Sequence, residues 1–189
     1  MFRDLVEKTR SYRRFYQEVA IEEKPLRELV DLARLSASGA NQQPLKFALV
    51  CDPETNAAVF PNLSWAGYLQ DWPGPEKGER PAGYVVILGD TEISQSFGTD
   101  WGIAAQNIML GATERGLGGC MIASINKKGL REVLQTPERY KILLVLALGK
   151  PKEEVVIDPV GPDGSIKYWR DQDGVHHVPK RSLEDLIIS

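Results

Sequence analysis

Histidine and cysteine are scarce in this chain: two of each among 189 residues. Cys51 and Cys120 lie far apart, each inside an apolar run. No CxxC pair or zinc-type spacing exists, so both read as reduced core residues of a cytoplasmic protein. His176 and His177 are adjacent; on a strand they point to opposite faces and cannot chelate one metal together. A Ser-His-Asp site would have to draw on one of them, and the GxSxG elbow is missing. The GxxxxGK[ST] phosphate loop is missing too. "GLGGCM" (116–121) is glycine-rich, but it follows a helical pattern and leads into a strand, the reverse of the dinucleotide fingerprint, and the third glycine is absent. The longest apolar run, "ILLVLAL" (142–148), is far short of the roughly 18 residues of a membrane helix. "MFRDLVEKTR" has no signal-peptide core. A net charge of −3 gives no overall field for nucleic acid or an anionic membrane, so neither is expected as a partner and any anion site is local. The carboxylates are scattered beside lysines and arginines, the pattern of a solvated surface.

What remains is an ordinary globular composition, 42% hydrophobic and 26% charged, at a length that favours one domain spanning 1–189. Phe2, Leu5 and Val6 predict a short helix ending near Thr9. Leu26, Leu29, Val30 and Ala33 predict an amphipathic helix with Pro25 in its first turn. "KFALVCD" (46–52) and "YVVILGD" (84–90) read as strands. Between them, 61–81 carries four of the twelve prolines and two of the four tryptophans, the composition of a lid or binding loop. Trp101, Ala104, Ala105, Ile108, Met109 and Ala112 mark a central helix over 99–115, with Gly116 as its C′ residue. "GGCMIAS" (118–124) reads as a strand. Asn126 caps a helix that buries Leu130, Val133 and Leu134 and stops at Pro137. "KILLVLALGK" (141–150), apolar on both faces, reads as a central strand. Residues 151–189 form a tail with an Asp173-Gly174 turn signal, a hairpin pattern around the histidines, and a Ser182/Asp185 capping box. The order predicts a mixed α/β layer architecture, one sheet with helices on its faces.

Two stretches stand out. "TRSYRRF" (9–15) places three arginines and a serine within five positions. Guanidinium forks match phosphate geometry and a hydroxyl adds a neutral donor; a solvated basic turn is the plainer alternative. "SASGANQQP" (36–44) is polar throughout yet uncharged, more hydrogen-bonding capacity than a connection needs.

With "DWGIAAQNIMLGATERGLGGCMI" (100–122) and "LLVLALGKP" (143–151), these stretches resemble the nitroreductase-like FMN-dependent oxidoreductase family in order and spacing. The family pattern runs RRSxRxF, PSxxNxQPW, a D-x-G-x-A-x-Q-N helix, GLG, and a strand closing in LGxP. The resemblance implies a three-layer α+β fold with a central mixed β-sheet between helices, and a C-terminal tail extending over a dimer partner. It implies a homodimer with two shared sites. It also implies bound FMN that takes hydride from NADH or NADPH onto N5 and passes it to a small oxidised substrate by a two-step ping-pong route, with no side-chain nucleophile. Arg10 and Ser11 match the phosphate end of the family motif, and Arg13 matches the cation beside N1 and O2. Ser38, Gly39, Asn41 and Gln43 match the loop from the partner subunit. Met121, Ala123 and Ser124 match main-chain contacts to N5 and O4, and Lys180 with Arg181 matches a basic pair near the phosphate. Trp65, Tyr68 and Trp72 stand as lid aromatics, with packing as the equal alternative; for His176 or His177, lining the site is the second reading after a strand or hairpin role.

The chain departs from the pattern at Thr9, where the family has its first arginine and where Arg14 or the tail is the expected substitute. It departs again at Ala37 and Leu45. For a family lysine after the lid, Lys77 and Arg80 are the candidates. The alternatives are an enzyme of different chemistry, performing dehalogenation or flavin fragmentation, a flavin carrier or redox sensor without turnover, and a flavin-free structural dimer.

Overall fold

A computed structural model describes residues 1–188 of the chain; Ser189, the end of the expected extension, lies outside them. Helices α1 (Phe2–Lys8) and α2 (Glu23–Arg34) open the chain. Strand β1 (Leu45–Val50), helix α3 (Pro53–Val59), strand β2 (Gly83–Asp90) and helix α4 (Asp100–Glu114) follow. Strand β3 (Gly118–Ile122), helix α5 (Lys127–Leu134) and strand β4 (Tyr140–Gly149) complete the body. The tail adds β5 (Val155–Pro159), β6 (Trp169–Arg170) and β7 (His176–Lys180).

The main sheet has the order β1-β2-β4-β3, so β4 is interior, as its two apolar faces require. Every pairing between these strands is antiparallel, which corrects the expectation of a mixed sheet. The β2-α4-β3 crossover does leave β2 and β3 parallel to each other, but β4 inserts between them and runs the other way. The parallel element at this sheet is a single bridge, Ser11 to Gly119, on the β3 edge.

Two apolar clusters lie on opposite faces of the sheet. Val85, Ile87, Leu144, Leu146 and Leu148 meet Leu26, Leu29, Ala105 and Ile108 of α2 and α4. Tyr84, Val86, Val145 and Ala147 meet Val59 and Leu130 of α3 and α5. The result is three layers. A bulge opposite Ile87/Leu88 shifts the register so that Ile142 joins Val145 rather than Leu144 on its face. Trp101 and Ile103, on the exposed side of α4, stay outside the core, so the apolar stripe is narrower than its sequence suggests.

Helix α4 ends in a Schellman motif. Gly116 (φ 73°) donates to Thr113 and Leu117 donates to Ala112, which lets the chain turn directly into β3. Helix α3 has no counterpart in the sequence reading. It rests on a local signal, the Asp52 carboxylate accepting from Thr55 N–H at 2.8 Å with Pro53 in the first turn.

Through Lys180 the tail forms a small sheet on its own chain. β5 and β7 pair in parallel and β6 joins β7 antiparallel. The sheet is tied down by the Arg170–Glu153 ion pair (2.9 Å), by His176 N–H to Glu154 O (2.9 Å), and by complete burial of the His176 ring. Beyond it Leu183, Leu186 and Ile187 are exposed. Ser182 and Asp185 exchange the two hydrogen bonds of a capping box, at 3.3 and 3.1 Å, without a helix following.

Candidate functional site

The arginine segment is laid along the β3–β4 edge. Thr9 is buried; its hydroxyl donates to Leu5 O (2.7 Å) and lies 3.0 Å from the Thr113 hydroxyl, clamping α1 to α4. Tyr12 N–H donates to Gly119 O, and Phe15 is buried against Gly149, where any Cβ would meet its ring at 2.7 Å. This extended course sends alternate side chains to opposite sides. Arg14 goes outward to Glu79, with Nε and Nη2 each 2.6 Å from a carboxylate oxygen, and Lys152 joins at 2.9 Å. The Arg14 hydrogen bonds, with help from Lys152, hold the Glu79 carboxyl down to about 2. Arg14 is therefore a structural residue, and it does not replace the arginine missing at Thr9.

Arg13 goes inward and is buried. Its backbone N–H donates to the Glu153 carboxylate, which also accepts from Arg14 N–H and from Arg170 Nη2. Its guanidinium donates from Nη1 to Ser11 O at 3.1 Å, lies 3.0 Å from His176 Nε2, and sits 4.7 Å from the Tyr168 ring centre. Arg10, Ser11, Arg13, Met121, His176 and Lys180 line a cavity of about 310 Å³ that no carboxylate lines. A second cavity of about 210 Å³ shares Arg13, Met121 and Tyr168 with it and continues to Ala123, Ser124 and Trp65. Arg10 Nε, Arg13 Nε and His176 Nδ1 are buried with no partner among the described residues. Three unsatisfied polar nitrogens and an added lysine around an acid-free cavity make an arrangement suited to a ligand carrying negative charge.

The polar loop is held from the other end of α4. Ser38 Oγ donates to Asp100 at 2.6 Å, Gly39 N–H donates to the same carboxylate at 3.1 Å, and Gln43 N–H donates to Ser38 Oγ. Ala40, Asn41 and Gln43 have φ of 49°, 53° and 52°, so the loop is wound in the left-handed region where Asn is tolerated and Ala costs free energy. Ser38 and Gly39 thus serve as anchors, while the Asn41 and Gln43 side chains are exposed. Asp100, buried at the start of α4 where the helix dipole favours an anion, organises the loop. The sequence reading quoted it inside a motif without giving it this part.

Within one chain the two halves do not meet end to end. Asp100 anchors the loop and Thr113 anchors Thr9, thirteen residues apart on α4, or about 20 Å along its axis. Several other expected residues fall outside the cavity of about 310 Å³, Trp65 reaching only the second one. Arg181 lines a surface groove with Lys180 and Asp185, and of the basic pair Lys180 alone also reaches the cavity around Arg13. Trp65 is buried, stacked on Phe60 at 5.8 Å, and Trp72 lies under Arg170 at 4.4 Å, so both pack within the chain. Tyr68 is exposed and meets Tyr168 at 4.9 Å. Arg80 sits over Phe60 at 4.1 Å and Lys77 is exposed; neither lines the cavities around Arg13. The residues that sequence reasoning missed are Tyr168 and Asp100; His176, read first as a hairpin residue and second as a site residue, lines the cavity and lies beside Arg13, a pairing that no local pattern announces.

A sequence model of the Nitroreductase family matches residues 77–150. A protein of Archaeoglobus fulgidus that carries the provisional name NADH dehydrogenase/NAD(P)H nitroreductase is 26% identical over 154 residues, 77% of this chain and 83% of that one. The structure of an FMN-dependent nitroreductase from Clostridium difficile R20291 superposes with a TM-score of 0.64 at 26% identity, covering 79% of this chain and 87% of its own. A nitroreductase family protein from Clostridium novyi NT matches over 98% of both chains, with a TM-score of 0.65 at 21% identity.

Proposed function

For a chain that matches the nitroreductase family in sequence and in fold, we propose an FMN-dependent oxidoreductase that draws on NADH or NADPH and works as a homodimer with two shared sites. The observation that carries this reading is the acid-free cavity with its unpartnered Arg10, Arg13 and His176 nitrogens. FMN fits such a donor set: it brings a phosphate at one end and, at the other, a ring edge that gains negative charge on reduction. When bound, it supplies the hydride acceptor and donor that these side chains lack.

The protein's part is then electrostatic and positional. Arg10 and Ser11, with Lys180 from the tail, are suited to the phosphate, and the tail lysine takes the place left open at Thr9. Arg13, buried and carrying a fixed charge, is suited to the ring edge, where a cation stabilises the reduced state. Met121, Ala123 and Ser124 present main-chain groups to the second cavity. The exposed amides of Asn41 and Gln43 are suited to the hydroxyls and ring edge of a ligand held mainly by a second copy. The 20 Å course of α4 between the two anchor points supports this division. A flavin carrier or redox sensor has the same donors but no turnover.

Titration with FMN, read by quenching of flavin fluorescence, tests the reading. Saturable binding at one FMN per chain is expected, whereas a protein that remains flavin-free in excess FMN overturns it.

A further inference from the structure

His176 opens β7 with its ring wholly out of solvent. Its Nε2 lies 3.0 Å from Arg13 Nη1. A guanidinium has five N–H donors and no acceptor, so Arg13 donates and Nε2 accepts. A neutral ring accepting at Nε2 carries its proton on Nδ1, which is buried, unpartnered among the described residues, and part of a residue lining the acid-free cavity. The surroundings resist a second proton. Burial first, then the positive charges of Arg13, Arg170 and His177, hold the ring down to about 4. Tyr168 packs on its face at 5.2 Å. The carboxylate of this cluster, Glu153, is already engaged by Arg170 and by the backbone of Arg13 and Arg14. A buried donor left without an acceptor costs free energy, and here the cavity is where an acceptor can be supplied.

We propose that His176 is a positioning residue of the site: its Nε2 fixes the Arg13 guanidinium, and its Nδ1–H donates to a carbonyl oxygen on the pyrimidine edge of the flavin. The identity of the acceptor rests on the FMN reading; the pairing with Arg13 does not. The two bonds divide the work. The first keeps the cation aimed at the edge that becomes negative, and the second adds a neutral donor to the same edge without adding charge.

The test has one arm without flavin and one with it. In FMN-free protein labelled with ¹⁵N-histidine, imidazole shifts at neutral pH should show the neutral Nδ1–H tautomer for His176; the Nε2–H tautomer or a charged ring overturns the pairing. In the second arm, His176→Leu removes both bonds, whereas His176→Gln restores an acceptor for Arg13. FMN binding should weaken about tenfold in the leucine variant, the scale of a lost hydrogen bond to a charged group, and the bound-flavin midpoint potential should become more negative. The glutamine variant should recover most of the potential. Thermal unfolding checks that each variant is folded; if the leucine variant is not, the glutamine variant and the tautomer measurement decide. Wild-type affinity and potential in a folded His176→Leu overturn the proposal while leaving the flavin reading intact. Failure of the wild type to bind FMN overturns the flavin reading and the donor bond, and leaves the Arg13 pairing to the tautomer measurement.

Discussion

Three consecutive residues, Tyr12, Arg13 and Arg14, illustrate how an extended backbone divides labour. Arg13 and Arg14 are both guanidinium groups, yet one faces a cavity with an unpartnered nitrogen and the other is consumed by Glu79. Arg13→Ala should lower FMN affinity by about 10- to 100-fold, the worth of a charge-assisted hydrogen bond, and should also lower the unfolding midpoint, since it removes the buried bonds to Ser11 O and His176. Fluorescence titration and thermal melts check both halves of that statement. Glu79→Ala should act on stability alone. It leaves Arg14 and Lys152 without their anion and should destabilise the fold by about 2 kcal/mol, less than the roughly 3–5 kcal/mol of a fully buried pair because both cations are partly exposed, without weakening FMN binding. Because the folded Glu79 carboxyl is depressed to about 2, its contribution is present above the unfolded value of about 4.3 and is lost as pH falls through the folded one. Denaturant unfolding at descending pH should therefore show the wild type and Glu79→Ala converging in acid.

Elements carry the next set of consequences. The 36–44 loop is organised by Asp100, a residue of a different element, and Asp100→Ala should free it. Amide exchange of Gly39 and Gln43 should rise, and FMN affinity should fall although Asp100 itself stands behind the loop. Unchanged exchange at those two amides would contradict the anchoring. The tail sheet carries a pH dependence of its own. His177 stacks on Trp169 at 4.1 Å and lies 3.2 Å from Asp171 and 2.7 Å from Asp158, and these hydrogen bonds raise its affinity for a proton. The folded value thus lies above the unfolded one of about 6.5. The stabilisation is complete below the unfolded value and disappears as pH rises through the folded one. The gap in melting temperature between wild type and His177→Gln should be wide near pH 6, about the unfolded value, and close in alkali.

The same scale explains what was readable in advance. Long periodic segments were legible: α2, α4, β2 and β4 follow from apolar spacing alone. Helix α3 was not, because Val59 is its one buried residue and no periodicity forms in seven positions. In the tail the β6–β7 hairpin was legible from the Asp173-Gly174 turn; the β5–β7 pairing and the docking of the sheet were not, because the anchors are long-range: Arg170 to Glu153 and His176 to Arg13 join segments that share no local pattern. At the site, Arg10, Ser11, Arg13, Met121 and Lys180 gather at one cavity as the motif order suggested. Ser38 and Gly39 turned out to be anchors, since a hydroxyl's partner cannot be read from its neighbours.

At the scale of the whole molecule, the division of the site along α4 predicts an obligate pair. Sedimentation should give a dimer. Protomers carrying Arg13→Ala, mixed with protomers carrying Asn41→Ala and Gln43→Ala, should form hybrids with one intact site that binds FMN more tightly than either parent. A monomer that binds FMN with full affinity would contradict the shared site. The chain's own contribution would then be a rigid three-layer frame that presents a fixed cation and uncharged donors to a redox group. That leads to the most direct measurement: anaerobic rapid mixing of the FMN-loaded protein with NADH and, separately, NADPH. The account predicts that the visible flavin absorbance bleaches with at least one of them and returns when an oxidised acceptor is added. A flavin that stays oxidised with both would contradict it and leave a carrier.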